Sequence, residues 1–593
     1  METNIQSALP EPSSKPQLNR ALGRPRLLWP VAVAALFWAG FFLIRQFELP
    51  YFVLFIYSMA SAGLLVLLFF AWWWTRRSIP LTSRALGFLA VLGTGALALP
   101  LCDKSVGLFG LLFSGLPTVL TAWTIWMLVA RQLGLSYMRL GALVVMALAW
   151  VPFTLQRIDG VSGDLHADIH WRWSPSAEDL FKAEMAAHET TRPAATVAAG
   201  WNPAVAPTDW IEFRGPARDG VLHGVKIPTN WNEQPPRLKW RRRVGPAWSS
   251  VTVVADRLFT QEQRDENEAV VCYDAATGEE IWVHTDKDRF EESVSGAGPR
   301  GTPTFANGRI FTLGATGILN CLDAASGKKI WSRTITTDAQ SKPPLWGLSG
   351  SPLVSDNMVF VFGGGADKSL LAYHASSGDP AWAAKAGDLS YSSPQAETIG
   401  GKKQILIVSD AGLASFEPVS GKALWQFGQA MPGMPRTEQP HLVGTTQFLA
   451  ASLSGSGISL IDVSPEKEEW KVTERWNSDG MKPEFPDMVV YNGHAYGFDI
   501  STFCCVDLAT GKRMWKGGRY GHGQVILLAD QGLLLVLSEK GEAVLLKANP
   551  ERHEELGHFQ ALHGKTWNHP VVAGGRLYAR NAEEMACYEL GAP

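Results

Sequence analysis

Cysteine and dense runs of basic residues are both scarce in this chain, and each absence excludes a class of function. The 593 residues include only six cysteines, and none forms the Cys-x-x-Cys-His motif of covalent haem attachment. The formal net charge is -3, and no Lys/Arg run after residue 155 is dense enough to neutralise a nucleic-acid backbone. The sequence therefore predicts no covalently bound haem and no nucleic-acid partner.

Charged residues are also absent from five apolar stretches near the N-terminus. These stretches are residues 28–44, 50–74, 85–101, 107–130 and 140–153. Each is close to, or somewhat below, the ~20 residues that a spanning helix needs, so residues 28–154 are predicted to form a five-helix transmembrane domain. A cleavable signal peptide is the alternative for the first stretch, but no small-residue cleavage site follows it and four more stretches do. Transporters usually keep an ionisable group at mid-membrane, so the pattern favours an anchor.

The basic residues between these stretches predict the orientation, because Lys and Arg near span ends are retained in the cytoplasm. The tail and the second and fourth loops hold most of them, namely Lys15, Arg20, Arg24, Arg26, Arg76, Arg77, Arg84, Arg131 and Arg139. The alternate loops hold only Arg45 and Lys104. We therefore predict an integral inner-membrane protein with a cytoplasmic tail at residues 1–27 and everything after the fifth span in the periplasm or its equivalent.

Residues 155–235 have the composition of a periplasmic linker, polar and rich in Ala, Pro and Trp, without sustained strand alternation. Ser176 precedes Asp179 at capping-box spacing, and the apolar residues that follow recur near helical period, so we predict one short amphipathic helix here. Residues 210–220 have the Gly and Pro density of a structured turn that packs against a domain.

A nine-residue motif of the form Asp-x-x-Thr/Ser-Gly-x-x-x-Trp recurs through the rest of the chain. Copies lie at residues 274–282, 323–331, 374–382, 417–425 and 507–515, with a degenerate copy at 462–470 and the end of another at Trp240. Successive tryptophans are 42, 49, 51, 43, 45 and 45 residues apart, which is the period of a β-propeller blade. The motif predicts a hairpin whose glycine accepts positive φ and whose tryptophan wedges between neighbouring blades.

The spacing predicts eight blades, with seven as the alternative. The outer strand at Trp240 precedes any matching inner strands, so residues 571–590 are expected to supply them and close the ring, which removes exposed edges. The predicted fold is an all-β eight-bladed β-propeller at residues 236–593, preceded by the α-helical five-span membrane domain.

The repeated motif resembles that of pyrroloquinoline quinone (PQQ) dependent dehydrogenases. It equally resembles the repeat of the β-propeller lipoprotein in the outer-membrane protein assembly machinery, which binds no quinone. Residues 213–220 look like the segment that precedes the repeats in PQQ-like propellers of environmental bacteria. Membrane-bound quinoprotein glucose dehydrogenase also joins five spans to an eight-bladed periplasmic propeller. The resemblance implies the fold, whereas the repeated residues maintain blade packing and do not specify a ligand.

Cys504 and Cys505 resemble the vicinal disulfide of several quinoprotein alcohol dehydrogenases, but the repeat favours a different explanation. Cys272, Cys321 and Cys505 each stand two residues before an acidic turn residue, and Cys587 stands two before Glu589. They occupy one recurrent strand position, where free cysteine is a small apolar residue. We predict buried thiols.

Residues that enter each innermost strand converge on the central funnel of a propeller, where ligands are usually held. The candidate ligand-binding residues, which differ between blades, are Trp248, Arg300, Trp346, Tyr391, Glu438, Asp487, His522, Trp567 and Asn568. Their chemistry could suit an anionic planar cofactor. Arg300 could pair with carboxylates, Trp346 or Trp567 could stack, and Asp487 with Glu438 or Asn568 could hold Ca²⁺ or take a proton. Neither a catalytic residue nor a metal site follows from the sequence.

Three functions fit these features. The first is a membrane-anchored, non-catalytic module that binds an envelope protein or a small molecule in its funnel, with no resident cofactor. The second is a dehydrogenase that uses PQQ with Ca²⁺, as the resemblance would imply, to oxidise an alcohol or sugar and pass electrons to membrane quinone. The third is a sensor, which the short tail disfavours because it has no room for a signalling domain.

Overall fold

A computed structural model of the chain describes residues 27–189, 201, 203–451, 457–467 and 469–591. The chain divides into two compact units, one made of Met1–Gln46 and Ile56–Arg157 and the other of Phe47–Phe55 and Ile158–Pro593. The basic tail, residues 1–26, lies outside the described residues.

The first unit is helical. Its helices are Leu28–Ile44, Tyr51–Thr75, Leu81–Ala98, Gly107–Gly110, Leu116–Val129 and Leu135–Leu155, with short turns at Leu99–Leu101, Leu111–Gly115 and Ala130–Gln132. Four segments of the described chain are long and apolar enough to cross a membrane, namely Val53–Thr75, Leu81–Leu101, Gly107–Gln132 and Leu135–Leu155.

The expectation of five such helices is corrected to four. Leu28–Ile44 is helical and apolar but has only 17 residues, which is about 26 Å of helix against a hydrocarbon core of about 30 Å. It ends at Ile44, and the apolar run stops at Arg45.

The second unit contains eight antiparallel sheets of the meander type expected for propeller blades. Numbered along the chain, blade 1 consists of Thr252–Val254, Arg257–Arg264, Asn267–Asp274 and Glu280–Asp286; blade 2 of Thr304–Ala306, Arg309–Leu313, Ile318–Asp323 and Lys329–Thr334; blade 3 of Leu353–Ser355, Met358–Phe362, Leu370–His374 and Pro380–Ala384; and blade 4 of Gln395–Ile399, Lys402–Ser409, Gly412–Phe416 and Ala423–Phe427. Blade 5 consists of His441–Val443, Gln447–Ala451, Ile458–Glu466 and Glu469–Ser478; blade 6 of Val489–Tyr491, His494–Asp499, Thr502–Asp507 and Arg513–Arg519; blade 7 of Gln524–Leu528, Leu533–Leu537, Glu542–Lys547 and Glu555–Gln560; and blade 8 of Val571–Ala573, Arg576–Arg580, Glu584–Glu589 and Arg237–Arg243.

The ring closes as the sequence predicts. Arg237–Arg243 is the outer strand of blade 8 and pairs antiparallel with Glu584–Glu589, which places Trp240 opposite Cys587. The first and last strands of the propeller therefore share one sheet, and the prediction of eight blades is confirmed.

Most copies of the repeated motif join two neighbouring blades. The Trp282 indole N–H of blade 1 donates to the Ala324 carbonyl in the turn of blade 2 at 3.1 Å. Gly327 of that turn has φ +70°, and a Cβ placed on it would lie 2.5 Å from the Trp282 ring. Glycine is thus required twice, by the backbone and by the neighbouring blade. Equivalent indole-to-carbonyl bonds join Trp240 to Ala275, Trp331 to Ala375, Trp382 to Pro418, Trp476 to Leu508 and Trp515 to Asn549.

Blade 5 departs from the predicted repeat. Its wedging tryptophan is Trp476, which contacts Gly511 of blade 6, and not Trp470. The hairpin between its two outer strands is long. Ile458–Glu466 pairs with Glu469–Ser478 from Ile458 opposite Ser478 to Glu466 opposite Glu469. Because blade 5 has no motif turn to meet Trp425 of blade 4, the Trp425 indole donates instead to Gln404 of its own blade at 2.7 Å.

The cysteines form no disulfide among the described residues. Cys272, Cys321, Cys505 and Cys587 are buried, and each lies in register opposite the tryptophan of the neighbouring outer strand. The predicted packing role of this position is confirmed.

Segments before the ring also have regular structure. A hairpin of Gln156–Val161 and Ala167–Trp171, which the sequence analysis did not anticipate, is followed by the helix Ala177–Glu189. Ser176 caps that helix, since its hydroxyl accepts the Asp179 N–H at 3.0 Å. Val221–Leu222 adds a parallel strand to blade 7, and the small hairpin Glu291–Glu292 with Gly296–Ala297 and the helix Ile335–Ala339 lie in loops.

Candidate functional site

The starts of the innermost strands are bonded to one another around the axis. The Ser250 N–H donates to Thr302 Oγ1 at 3.2 Å, Thr302 N–H to Ser351 Oγ at 2.9 Å, and Ser351 N–H to Ser393 Oγ at 2.9 Å. Blades 1 to 4 are therefore joined by a chain of short polar side chains that are buried.

Similar bonds join blade 5 to blade 6, blade 6 to blade 7 and blade 8 to blade 1, and they include two of the predicted site residues. The Asp487 carboxylate accepts the Gln439 N–H at 3.3 Å, and the Asp487 N–H donates to Gln524 Oε1 at 3.3 Å. The Asn568 amide of blade 8 donates to the Ser249 carbonyl of blade 1 at 2.8 Å. Asp487 and Asn568 thus belong to the set of hydrogen bonds that joins the innermost strands, here called the inner ring.

Residues 210–222, here called the axial segment, cross one end of the central channel. The segment pairs with Val253 of blade 1 and bonds to Phe305 of blade 2, and its strand Val221–Leu222 joins blade 7. Arg218 donates to the Ser351 and Pro352 carbonyls of blade 3 at 3.0 Å each. Blades 3 and 7 are opposite one another in a ring of eight, so the segment spans the axis.

Arg214 of the axial segment is fully buried and pairs with the Asp487 carboxylate. Their side chains form an ion pair, and Arg214 also donates to the Met488 carbonyl at 2.6 Å. Burial alone would raise the pKa of Asp487, but Arg214 and His441 outweigh burial and hold that pKa well below its usual value. Burial, with the Arg214 charge, lowers the pKa of nearby His569 to about 3, so this imidazole is neutral.

Arg300 is engaged by its own loop. The guanidinium forms an ion pair with Glu292 at 3.4 Å and donates to Ser295 Oγ at 2.8 Å and to the Gly296 carbonyl at 3.0 Å. It also lies 4.5 Å above the Phe290 ring. Burial lowers its pKa to about 10. Arg300 therefore organises residues 290–298 instead of presenting its donors to a ligand.

At the mouth of the propeller, which is the end at which the innermost strands begin, His522 lies between two carboxylates. Its Nε2 is 2.8 Å from Glu484 and its Nδ1 is 3.7 Å from Glu539, while Phe485 stacks on the ring at 4.8 Å. Burial alone would lower the pKa of His522, but the two carboxylates outweigh it and raise the pKa to about 9. Burial would raise the pKa of Glu539, and His522 lowers it to about 2. The imidazole is charged at neutral pH.

Trp567 and Trp248 lie beside this cluster as a packed pair with ring centres 4.8 Å apart. The Trp567 indole donates to Glu539 at 2.8 Å. The Lys565 ammonium is 4.4 Å from the Trp567 ring centre and 5.2 Å from that of Trp248. Burial lowers the pKa of Lys565 to about 8.

The hairpin of residues 156–171, here called the mouth hairpin, covers this cluster. The Gly163 N–H donates to Glu539 at 2.7 Å, and a Cβ on Gly163 would lie 2.0 Å from His522 Nδ1. Lys565 donates to the Val161 and Val294 carbonyls at 3.1 Å each. The ionic cluster is therefore closed over by the chain itself.

The remaining candidates lie on blades 3 to 5. Trp346 and Tyr391 pack with ring centres 5.0 Å apart, and the Tyr391 N–H donates to the Arg436 carbonyl at 2.7 Å. Glu438 is buried, and burial raises its pKa to about 7.

The structure thus separates the nine candidates by role. Asp487 and Asn568 belong to the inner ring, Arg300 to its own loop, and His522, Trp248 and Trp567 to the covered cluster. The residues do not fit an anionic planar cofactor with Ca²⁺, because the Arg300 and Asp487 charges are already paired and no group of three or more His, Cys, Asp or Glu suited to a metal occurs in the described residues.

Five residues of these sites were not among the sequence-based candidates, namely Arg214, Gly163, Glu484, Glu539 and Lys565. Their partners are distant in sequence, and they lie outside the repeated motif, so periodicity could not have found them. The one available signal was the dense Phe213-Arg-Gly-Pro phrase, whose Arg214 adopts φ +61°, a conformation that the surrounding contacts must hold.

Comparisons with known proteins agree with the repeat. Residues 266–517 match the family model described as outer membrane protein assembly factor BamB. A comparison with curated proteins returned no match. BamB from Moraxella catarrhalis is 15% identical, with coverage of 60% of this chain and 99% of its own and a TM-score of 0.43. Quinohemoprotein alcohol dehydrogenase from Comamonas testosteroni is 14% identical, with coverages of 69% and 84% and a TM-score of 0.48.

Proposed function

We propose that this chain, whose eight-bladed propeller carries the PQQ-like repeat, is a membrane-anchored binding or scaffold module of the cell envelope. The supporting observation is that its own residues fill the positions at which a propeller would hold a cofactor. Arg214 occupies Asp487 on the axis, and the mouth hairpin covers His522 and Glu539. A ring whose axial and mouth charges are paired within the chain suits the display of a surface better than turnover of a substrate.

The dehydrogenase alternative is tested by reconstitution. Full-length protein is incubated with PQQ and Ca²⁺, and dye reduction is followed with a panel of alcohols and sugars. We expect neither cofactor absorbance nor turnover, because the charges of Arg300 and Asp487 are already paired within the protein. Substrate-dependent dye reduction would overturn the proposal.

The binding role needs a positive test at the rim of the mouth. Leu345, next to Trp346, is 73% exposed, whereas Met514 on the outer strand of blade 6 is 47% exposed. A photo-crosslinking amino acid at Leu345 should give one discrete adduct in intact cells, and the same group at Met514 should give none. Equal or absent adducts at both positions would contradict recognition at the mouth.

The proposal places the propeller on the non-cytoplasmic side. Arg131 and Arg139 precede the last apolar helix, Leu135–Leu155, or lie at its start, so the positive-inside rule directs its C-terminal end outward. This result does not depend on whether Leu28–Ile44 spans.

A further inference from the structure

A cavity of about 890 Å³ lies within the helical unit. It is lined by the end of Tyr51–Thr75, the first half of Leu81–Ala98, the end of Leu116–Val129 and the first half of Leu135–Leu155. These ends adjoin the two basic loops, which positive-inside orientation assigns to one face of the membrane. The volume is within the range of small-molecule sites.

The body of the cavity is apolar and its shape is built by aromatic packing. Trp73 and Trp123 meet with ring centres 4.5 Å apart, and a Cβ on Gly87 would lie 2.8 Å from both rings. The Trp73 and Trp126 indoles donate to the Arg84 and Met138 carbonyls at 3.0 and 2.9 Å. These walls therefore need no hydrogen bond from a ligand.

One end of the cavity is basic. Arg131 and Arg139 line it together with Gln132 and Ser136, and none of the described lining residues is acidic. Arg139 Nε donates to Ser83 Oγ at 3.1 Å, which fixes its position. Arg131 is exposed and has no ion pair with a described residue. An apolar body with two guanidinium groups at its end matches an amphiphile with an anionic head.

We propose that this cavity binds an acyl chain of an anionic phospholipid, whose phosphate lies at Arg131 and Arg139. The cavity opens at the surface of the apolar helices, where lipid is the solvent available to fill it. The chain's own tail, residues 1–26, ends immediately before Leu27 of the cavity lining and is the competing occupant. Its four basic residues would be repelled by the two arginines, so charge favours the lipid.

The test is native mass spectrometry of the full-length protein with added phosphatidylglycerol or phosphatidylcholine of equal chain length. Phosphatidylglycerol should be retained preferentially, and the pair Arg131→Gln and Arg139→Gln should reduce that preference about tenfold or more. The matched control is Arg76→Gln with Arg77→Gln, which removes equal charge from residues that do not line the cavity and should leave the preference intact.

A second variant separates the cavity from the arginines. Ala90→Trp adds bulk to the lining while it keeps both guanidinium groups, and it should lower retention of phosphatidylglycerol several-fold. Equal retention of the two lipids, equal loss in the control pair, or unchanged binding in Ala90→Trp would each overturn the proposal. Increased binding after deletion of residues 1–26 would identify the tail as the occupant and would also overturn it.

Discussion

Gly327 shows how one residue of the repeat carries two constraints. Its φ of +70° disfavours any side chain, and the Trp282 ring of the preceding blade occupies the place of its Cβ. Gly493, in the hairpin of blade 6, has φ +75°, and a Cβ placed on it would have nothing within 4 Å. The two glycines therefore differ only in the second constraint.

Replacing each with alanine should separate the two costs. Gly493→Ala should destabilise the propeller by about 1 kcal/mol through the backbone alone. Gly327→Ala should cost a further ~1–3 kcal/mol because it overpacks the blade junction. The measurement is the denaturant midpoint of the purified protein. Equal shifts for both variants would show that the tryptophan contact contributes nothing.

The charged cluster at the mouth predicts a pH dependence. The folded-state pKa of His522 is raised to about 9 from 6.5, so its stabilisation is complete below pH 6.5 and is lost as pH rises through 9. The pKa of Glu539 is lowered to about 2 from 4.5, so its contribution is complete above pH 4.5 and is lost as pH falls through 2.

His522→Gln should therefore be most destabilising near pH 5–6, and its deficit relative to the unsubstituted protein should shrink towards pH 9. Unfolding curves at several pH values measure this difference. His374→Gln, at an exposed position, is the control and should track the unsubstituted protein throughout. A deficit in His522→Gln that stays constant with pH would refute the charged-imidazole assignment.

The roles of residues inside the repeat could be predicted from the sequence, whereas long-range contacts of residues outside it could not. Cys272 and Cys321 stand at one motif position, and both lie opposite a tryptophan as that position requires. Asp487 stands where a ligand-binding residue was expected. Its partner Arg214 is 273 positions earlier in the sequence, and no local pattern connects the two.

At the scale of elements, the mouth hairpin is the segment that sequence patterns missed. Its second strand, Ala167–Trp171, is exposed along its whole length, so no buried face imposes the apolar alternation by which strands are found. The contacts of Gly163 and Val161 with the mouth hold it instead. The predicted position of the wedging tryptophan in blade 5 was also wrong. The longer hairpin of that blade moves this tryptophan from position 470 to 476.

Gly163→Val should detach the mouth hairpin, because its Cβ would overlap the His522 imidazole. We expect amide hydrogen exchange at Val161 and Gly163 to rise at least about tenfold, as local opening replaces a bonded state. Ala167→Val, at an exposed position of the same hairpin, is the control and should leave exchange unchanged. Unaltered protection in Gly163→Val would mean that these contacts do not hold the hairpin.

At the scale of the whole molecule, closure and orientation depend on different information. Closure followed from the unpaired copy at Trp240 and the spare strands after residue 571, both of which the repeat exposes. Orientation depends on loop charges and on the parity of the spans. In the proposed topology the last apolar helix and the arginines before it determine the side of the propeller, whereas the side of the tail depends on the 17-residue helix Leu28–Ile44.

Single cysteines in a Cys102→Ser background test both statements with a membrane-impermeant maleimide applied to spheroplasts. Val419→Cys, on an exposed turn of blade 4, should be labelled, and Tyr137→Cys, between Arg131 and Arg139, should be labelled only after lysis. Ser13→Cys in the tail should also need lysis if Leu28–Ile44 spans. Labelling of Tyr137→Cys in intact spheroplasts would show the opposite orientation, with the loop arginines outside and the propeller inside. Labelling of Ser13→Cys but not of Tyr137→Cys in intact spheroplasts would show that Leu28–Ile44 does not span. The proposed side of the propeller would stand, since it depends on the helices that follow.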